Sequence, residues 1–256
     1  MGHRLYTSDM HSALNLAPPP SLSTLLKSGP VALFLDFDGT LVELAEGPDA
    51  ISPLPDLAAR LSDLSARLEG RCAIVSGRGI DDIEKHLGPI NIAAAGSHGS
   101  DIRSGEGEAL GSGPQGLPRE IEEQLRAFAA AQGIDYEHKP HGGALHYRRD
   151  PSRGEEAHAF AQELAAKHGW LAQSGKCVVE LIAKGADKGS AVAIFMETAA
   201  FAGARPVFIG DDLTDEAGFK ASQQLSGLGI LVGDRDPSRA DYKLAGVAAV
   251  HQWLEL

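Results

Sequence analysis

Cysteine is scarce: only Cys72 and Cys177 occur in 256 residues, well separated and in apolar surroundings. That excludes a disulfide scaffold and a multi-cysteine metal site, and both thiols read as reduced core residues. Bases are outnumbered, 23 against 35 acids, for a formal net charge of −12. Such a balance argues against nucleic acid as a partner, and any phosphate has to be drawn in by local positive groups. No apolar run approaches the roughly 20 residues needed to span a bilayer. The N-terminus lacks a basic-then-apolar leader pattern, and Tyr6 stands where a myristoylation signal needs Ser or Thr. The expectation is a soluble, cytoplasmic protein, monomeric unless an oligomer is demonstrated, with neither membrane nor nucleic acid as partner.

What is present is a rhythm of short apolar runs and amphipathic stretches. Val31 to Leu35 is continuous and apolar, as in a strand buried on both faces of a parallel sheet. Pro53 to Leu68 places Leu54, Leu57, Leu61, Leu64 and Leu68 at helical spacing. Strands are expected at Cys72–Val75, Ile90–Ala95, Pro206–Ile209 and Leu228–Val232, with helices at 79–87, 189–201 and 215–225. Between residues 102 and 183 the pattern changes to two helices, 118–132 and 151–168, among extended stretches at 136–148 and 176–182. The fold class expected is α/β, a doubly wound, mainly parallel sheet with a smaller α+β unit inserted. The corresponding boundaries are a loose tail over 1–24, a core over 25–101 and 185–256, and an insertion over 102–184.

Four segments place chemistry where strands end or helices begin: Asp36-Phe-Asp38-Gly39-Thr40, Ser76-Gly77-Arg78, Asp187-Lys188-Gly189 and Gly210-Asp211-Asp212-Leu-Thr-Asp215-Glu216. Ligands of doubly wound sheets bind beyond the carboxyl ends of the strands. Two acids as close as Asp36 and Asp38 repel each other unless a cation lies between them, which suggests a hard divalent metal. Cleaving a phosphate monoester needs a nucleophile, an acid for the leaving oxygen and fixed positive charge around the phosphoryl group. Lys188, at a helix start, and the Ser76 hydroxyl suit the last task.

Taken in order, these four segments resemble the haloacid dehalogenase superfamily of phosphatases. The resemblance implies Mg²⁺ as cofactor, Asp36 as the nucleophile that becomes an aspartyl phosphate, and Asp38 as general acid and then base. It also implies phosphate contacts from Ser76 and Lys188, with Gly39, Thr40 and Gly77 lining the phosphate. Metal contacts would come from Asp36, Asp38 through its backbone carbonyl, and Asp211, with Asp212 and Asp215 orienting bound water.

Five further segments narrow the resemblance: Ser76-Gly77-Arg78, Gly96-Ser97-His98-Gly99, Glu137-His138-Lys139, His146-Tyr147-Arg148 and Gly210 to Glu216. Together they are similar to the trehalose-6-phosphate phosphatase family, whose insertion is an α+β cap. By that resemblance Glu137, Lys139, Lys176 and Glu180 would grip sugar hydroxyls, with Arg78, His98 and Arg148 as further substrate contacts. Carboxylates and ammonium groups suit a hydroxyl-rich ligand and read an apolar one poorly. The partner expected is thus a small sugar phosphate. Sucrose phosphate, mannosyl phosphoglycerate and a catalytically silent sugar-phosphate-binding role stand as alternatives.

Overall fold

The computed structural model describes residues 12, 16–45, 50–111, 116–139, 141–175, 177–183 and 185–256. Its helices are α1 (Leu22–Lys27), α2 (Leu57–Arg67), α3 (Ile80–Leu87), α4 (Arg119–Gln132), α5 (Gly154–His168), α6 (Lys188–Glu197), α7 (Asp215–Gln224) and α8 (Val247–Leu254). The strands are β1 (Val31–Leu35), β2 (Cys72–Val75), β3 (Ala93–Gly96), β4 (Asp101–Arg103), β5 (Asp135–Lys139) and β6 (Gly142–His146). They continue with β7 (Leu171–Gly175), β8 (Val178–Ile182), β9 (Arg205–Gly210), β10 (Leu228–Val232) and β11 (Tyr242–Leu244). These elements fall into two units, one within residues 1–111 and 187–256 and the other within 112–186.

The larger unit is built on β1. All of its residues are buried, and its side chains alternate between two apolar clusters. Val31, Leu33 and Leu35 meet Leu57, Leu61 and Leu64 of α2 and Val250 and Leu254 of α8. Ala32 and Phe34 meet Ala191, Val192 and Phe195 of α6 and Phe219 of α7. A strand with apolar groups on both sides has no wet face, so helices cover the sheet twice. The strand order is β11-β10-β9-β1-β2-β3-β4, parallel except for the antiparallel edge strand β4. From β1 the chain builds outward through β2 and β3, then returns to the other side as β9 and continues to β11. The β1–β9 pair is therefore the switch point of the sheet.

The smaller unit is a four-stranded antiparallel sheet, β5-β6-β8-β7. Leu145, Val179 and Leu181 turn one face toward Ile121, Leu125 and Ala129 of α4 and Ala157, Ala161 and Leu164 of α5. With a period of two, Glu137, Lys139 and Glu180 are left on the opposite face.

Local chemistry shifts some expected boundaries. α2 begins at Leu57, not Pro53, and Leu54 is 44% exposed, because Pro53 and Pro55 lack donors and bias their predecessors toward extended backbone. α6 ends at Glu197 because Thr198 is extended; Phe201 still packs inward, its ring stacked with Phe34 and Phe195. β3 starts at Ala93, three residues after Ile90. Residues 16–24 are not a loose tail: Ala17 O accepts from Lys243 N at 3.1 Å and Pro20 O from Trp253 Nε1 at 2.9 Å. Ser21 then caps α1, whose Leu22 and Leu25 are buried. The rest of the expected tail, apart from residue 12, and Lys176 lie outside the described residues. Among the described residues no helix is long and apolar enough to cross a membrane.

Candidate active site

The adjacent strands β9, β1, β2 and β3 each deliver polar groups at their carboxyl ends. Asp36 follows β1, Ser76 follows β2, Ser97 to Gly99 follow β3, and Gly210 closes β9 just before Asp211. Lys188 opens α6, whose start is fixed by a reciprocal cap: Asp187 Oδ1 accepts from Ser190 N, and Ser190 Oγ accepts from Asp187 N.

Lys188 is the positive centre. Its Nζ donates to Asp36 Oδ1 at 2.7 Å and to Asp215 Oδ1 at 2.6 Å, and all three side chains are buried. Burial alone would lower Lys188, but the charges of Asp36, Asp215 and Asp212 overcome it and hold the ammonium strongly protonated. One cation does not balance these acids. Burial raises Asp36 to about 7, against the lowering effect of Lys188 and with help from Asp212 and Asp211. Asp211 is likewise pushed up to about 7 by burial, Asp215 and Asp212. Asp215 is raised well above its ordinary value by burial and by Asp36.

Those acids are the fit test for a metal. Carboxylate oxygens of Asp36, Asp211 and Asp215 lie within 4.8 Å of one another. Asp211 Oδ1 is buried without a hydrogen-bond partner, so one acceptor on a member of the cluster is unused. An all-oxygen, anionic donor set suits a hard cation such as Mg²⁺. Asp211 is also seated tightly, since a Cβ on Gly39 would fall 2.2 Å from its Oδ2, and Gly39 has φ +77°. Asp212 stands outside the cluster. Its Oδ1 accepts from Thr214 N and Oγ1, both at 2.7 Å, while its own N donates to Asp215 Oδ2 at 2.9 Å. Burial would raise Asp212, but Lys188 and the Thr214 bonds keep it below its ordinary value.

Asp38 turns its carboxylate away, toward Arg78. The guanidinium grips it through Nε at 2.6 Å and Nη2 at 2.8 Å, and Nη1 reaches Asp82 Oδ2 at 2.6 Å. Ser76 is buried beneath, its Oγ accepting from Arg78 N at 3.1 Å and so keeping its proton to donate elsewhere. Thr40 Oγ1 is buried with no partner. The loop after β3 is stitched to this one, Ser97 N to Arg78 O at 2.6 Å and His98 N to Ser76 O at 2.9 Å. Ser97 and His98 both take positive φ, +52° and +56°, which is a strained state for side-chain-bearing residues. The His98 ring lies on Gly77, where a Cβ would come within 2.7 Å of it.

In the smaller unit a chain of polar contacts runs across the sheet face opposite the core. His146 Nε2 lies 2.7 Å from Glu137 Oε2, Glu137 lies 4.0 Å from Lys139 Nζ, and that ammonium donates to Glu180 Oε1 at 2.5 Å. Arg148 is exposed in the turn after β6 and joins none of these contacts; Lys176 is outside the described residues. Asp82, Arg235 and His146 also engage these groups, Arg235 by donating to Asp211 O while Glu216 holds the Arg235 guanidinium. Asp82 lies in the first turn of α3, four positions after Arg78, and is close enough in the chain to be noticed, whereas Arg235 carries no local signal.

This fold is shared with a solved phosphatase of the haloalkanoate (HAD) enzyme superfamily from Bacteroides thetaiotaomicron, which superposes with a TM-score of 0.61 at 13% identity, covering 88% of this chain and 93% of that one, a likeness of fold alone. The sequence profile of the trehalose-phosphatase family matches residues 34–248, and the chain belongs to that family of phosphatase enzymes. It is 36% identical over 240 residues to the trehalose-6-phosphate phosphatase of Escherichia coli strain K12, covering 93% of this chain and 90% of that protein. A probable trehalose-phosphate phosphatase of Sinorhizobium fredii is 40% identical over 210 residues, covering 81% and 79%. The solved Aspergillus fumigatus trehalose-6-phosphate phosphatase superposes with a TM-score of 0.67 at 25% identity, covering 93% of this chain and 97% of that one.

Proposed function

We propose that the protein hydrolyses trehalose 6-phosphate to trehalose and phosphate through an aspartyl-phosphate on Asp36, with Mg²⁺ held by Asp36, Asp211 and Asp215. The observation that carries this reading is the buried Asp36, 2.7 Å from Lys188 and grouped with Asp211 and Asp215. When bound, Mg²⁺ would offset the crowded negative charge and favour a phosphoryl group beside it.

The residues then divide the work. Asp36 attacks phosphorus as the bond to the sugar oxygen breaks, and Asp38 gives that oxygen its proton. Asp38, now a carboxylate, takes a proton from water, which attacks phosphorus and frees both phosphate and Asp36. Lys188 and the Ser76 hydroxyl hold phosphoryl oxygens, and Lys188 keeps Asp36 oriented throughout. Arg78 binds Asp38 with two donors, so it has to release at least one of them before Asp38 can reach a leaving oxygen. The unit within 112–186 is read as the cap, with Glu137, Lys139 and Glu180 meeting sugar hydroxyls; its start moves from the expected 102 to 112, because β4 pairs with β3 and residues up to 111 group with the larger unit. A wrong hydroxyl pattern would leave those groups buried and unpaired, which penalises it.

The test is a panel of sugar phosphates assayed for released phosphate with and without Mg²⁺. Trehalose 6-phosphate is expected to have the highest kcat/KM. A preference for glucose 6-phosphate or sucrose phosphate would remove the substrate assignment, and full turnover in chelator would remove the metal.

A further inference from the structure

The loop carrying Asp211 is tied from outside by an arginine far along the chain. Arg235, in the segment after β10, donates through Nε to Asp211 O at 3.3 Å and through Nη1 to Pro237 O at 2.9 Å. Its Nη2 donates to Glu216 Oε1. Glu216 stands in the first turn of α7, next to Asp215. Its carboxylate also accepts from Ser238 Oγ at 2.7 Å and from Arg239 N at 2.8 Å. The guanidinium is therefore fixed by a carboxylate that is itself fixed, and its remaining donor grips the backbone of Asp211.

We propose that Arg235 is a positioning residue for the metal-binding loop, locking the Asp211 backbone so that its carboxylate faces Asp36 and Asp215. This rests on the metal reading above. The charge of Arg235 makes the inference sharp. A guanidinium beside a cation site repels the cation, so any benefit from Arg235 has to come through geometry. Asp211 has little tolerance for displacement, because its carboxylate already lies against Gly39. Inside the loop, Asp215 holds Asp212 N and Asp212 holds Thr214; Arg235 supplies the tie to Asp211 itself.

The sign of one measurement tests this. MgCl₂ alone is titrated calorimetrically into the intact protein and into Arg235→Ala, Arg235→Lys and Lys243→Ala variants, with thermal unfolding of each recorded in parallel. Lys243 pairs with Asp234 at 2.8 Å, so Lys243→Ala removes the same charge from the same neighbourhood without touching the loop. Arg235→Ala is expected to weaken Mg²⁺ binding about tenfold or more, as loss of an outer support around a metal site does. Arg235→Lys, with charge kept and fork lost, should fall between it and the parent. Lys243→Ala should bind as the parent does. Binding as tight as the parent's, or tighter, in both Arg235 variants would overturn the proposal, even if their unfolding temperatures fell. Should Arg235→Ala fail to fold, Arg235→Lys decides alone. No Mg²⁺ binding by the unaltered protein would overturn the metal reading and this inference together.

Discussion

The two units handle charge in opposite ways. In the larger one, Asp36, Asp215 and Lys188 are buried and locked at 2.6–2.7 Å, with Asp211 beside them and too few cations to balance the acids. In the smaller one, His146, Glu137, Lys139 and Glu180 lie on a sheet face, partly wet, as a chain in which each carboxylate meets a basic group. Buried imbalance costs stability and can be relieved only by a specific partner, whereas a balanced wet chain is cheap to keep and easy to re-pair. The first arrangement suits chemistry and the second recognition.

Removing the carboxylate proposed as the nucleophile should separate the two units most. Asp36→Asn is expected to lower kcat by about 10⁵-fold or more while leaving sugar binding intact. Comparable kcat values for Asp36→Asn and the unaltered protein would end the division of labour. Next comes Lys188→Ala, which strands Asp36 and Asp215 without their partner. A destabilisation of about 3 kcal/mol by urea unfolding is expected, as when one member of a buried pair is deleted. A loss below about 1 kcal/mol would mean the acids simply protonate in its absence.

The imbalance should also appear in pH. Asp36 and Asp211 are raised to about 7 from an ordinary 3.8, so the folded, metal-free protein binds more protons than the unfolded chain. Stability from these groups is complete below about pH 4 and is lost as pH rises toward about 7. Mg²⁺ is thus expected to raise Tm more at about pH 8 than at about pH 5.5, and equal shifts at both would contradict the sign. The smallest effects belong to the other unit. Lys139→Ala and Glu180→Ala should raise KM about tenfold with kcat and stability little changed, stability within about 1 kcal/mol. An unaltered KM in both would take them out of sugar recognition.

Much of the larger unit is visible in the sequence because buried parallel strands announce themselves. Val31 to Leu35 and Cys72 to Val75 are apolar throughout, and each runs directly into the polar residues it delivers. Elements held by backbone pairing alone leave no such trace. Leu171-Ala-Gln-Ser-Gly175 has no alternation and is a strand only because β8 pairs with it. Tyr242 to Leu244 is three residues long and half-buried beside β10. α8 follows Gly246 without a side-chain cap, and its position is set by Val250 and Leu254 in the core and by Trp253 bonding to Pro20. At the site, residue types at strand ends and at a helix start were enough to nominate Asp36, Asp211 and Lys188. The direction of a side chain was not readable: the Asp38–Arg78 fork spans 40 positions and the Arg235–Asp211 tie spans 24.

If the proposed function holds, phosphorus passes to the carboxylate of Asp36, just after β1. Brief mixing with trehalose 6-phosphate and Mg²⁺, a rapid quench, and borohydride reduction should convert an acyl phosphate at residue 36 into homoserine, which peptide mass spectrometry detects. Homoserine at position 36, absent without substrate, is the expected result. Full turnover with residue 36 unmodified, or with the label on another carboxylate, would contradict it.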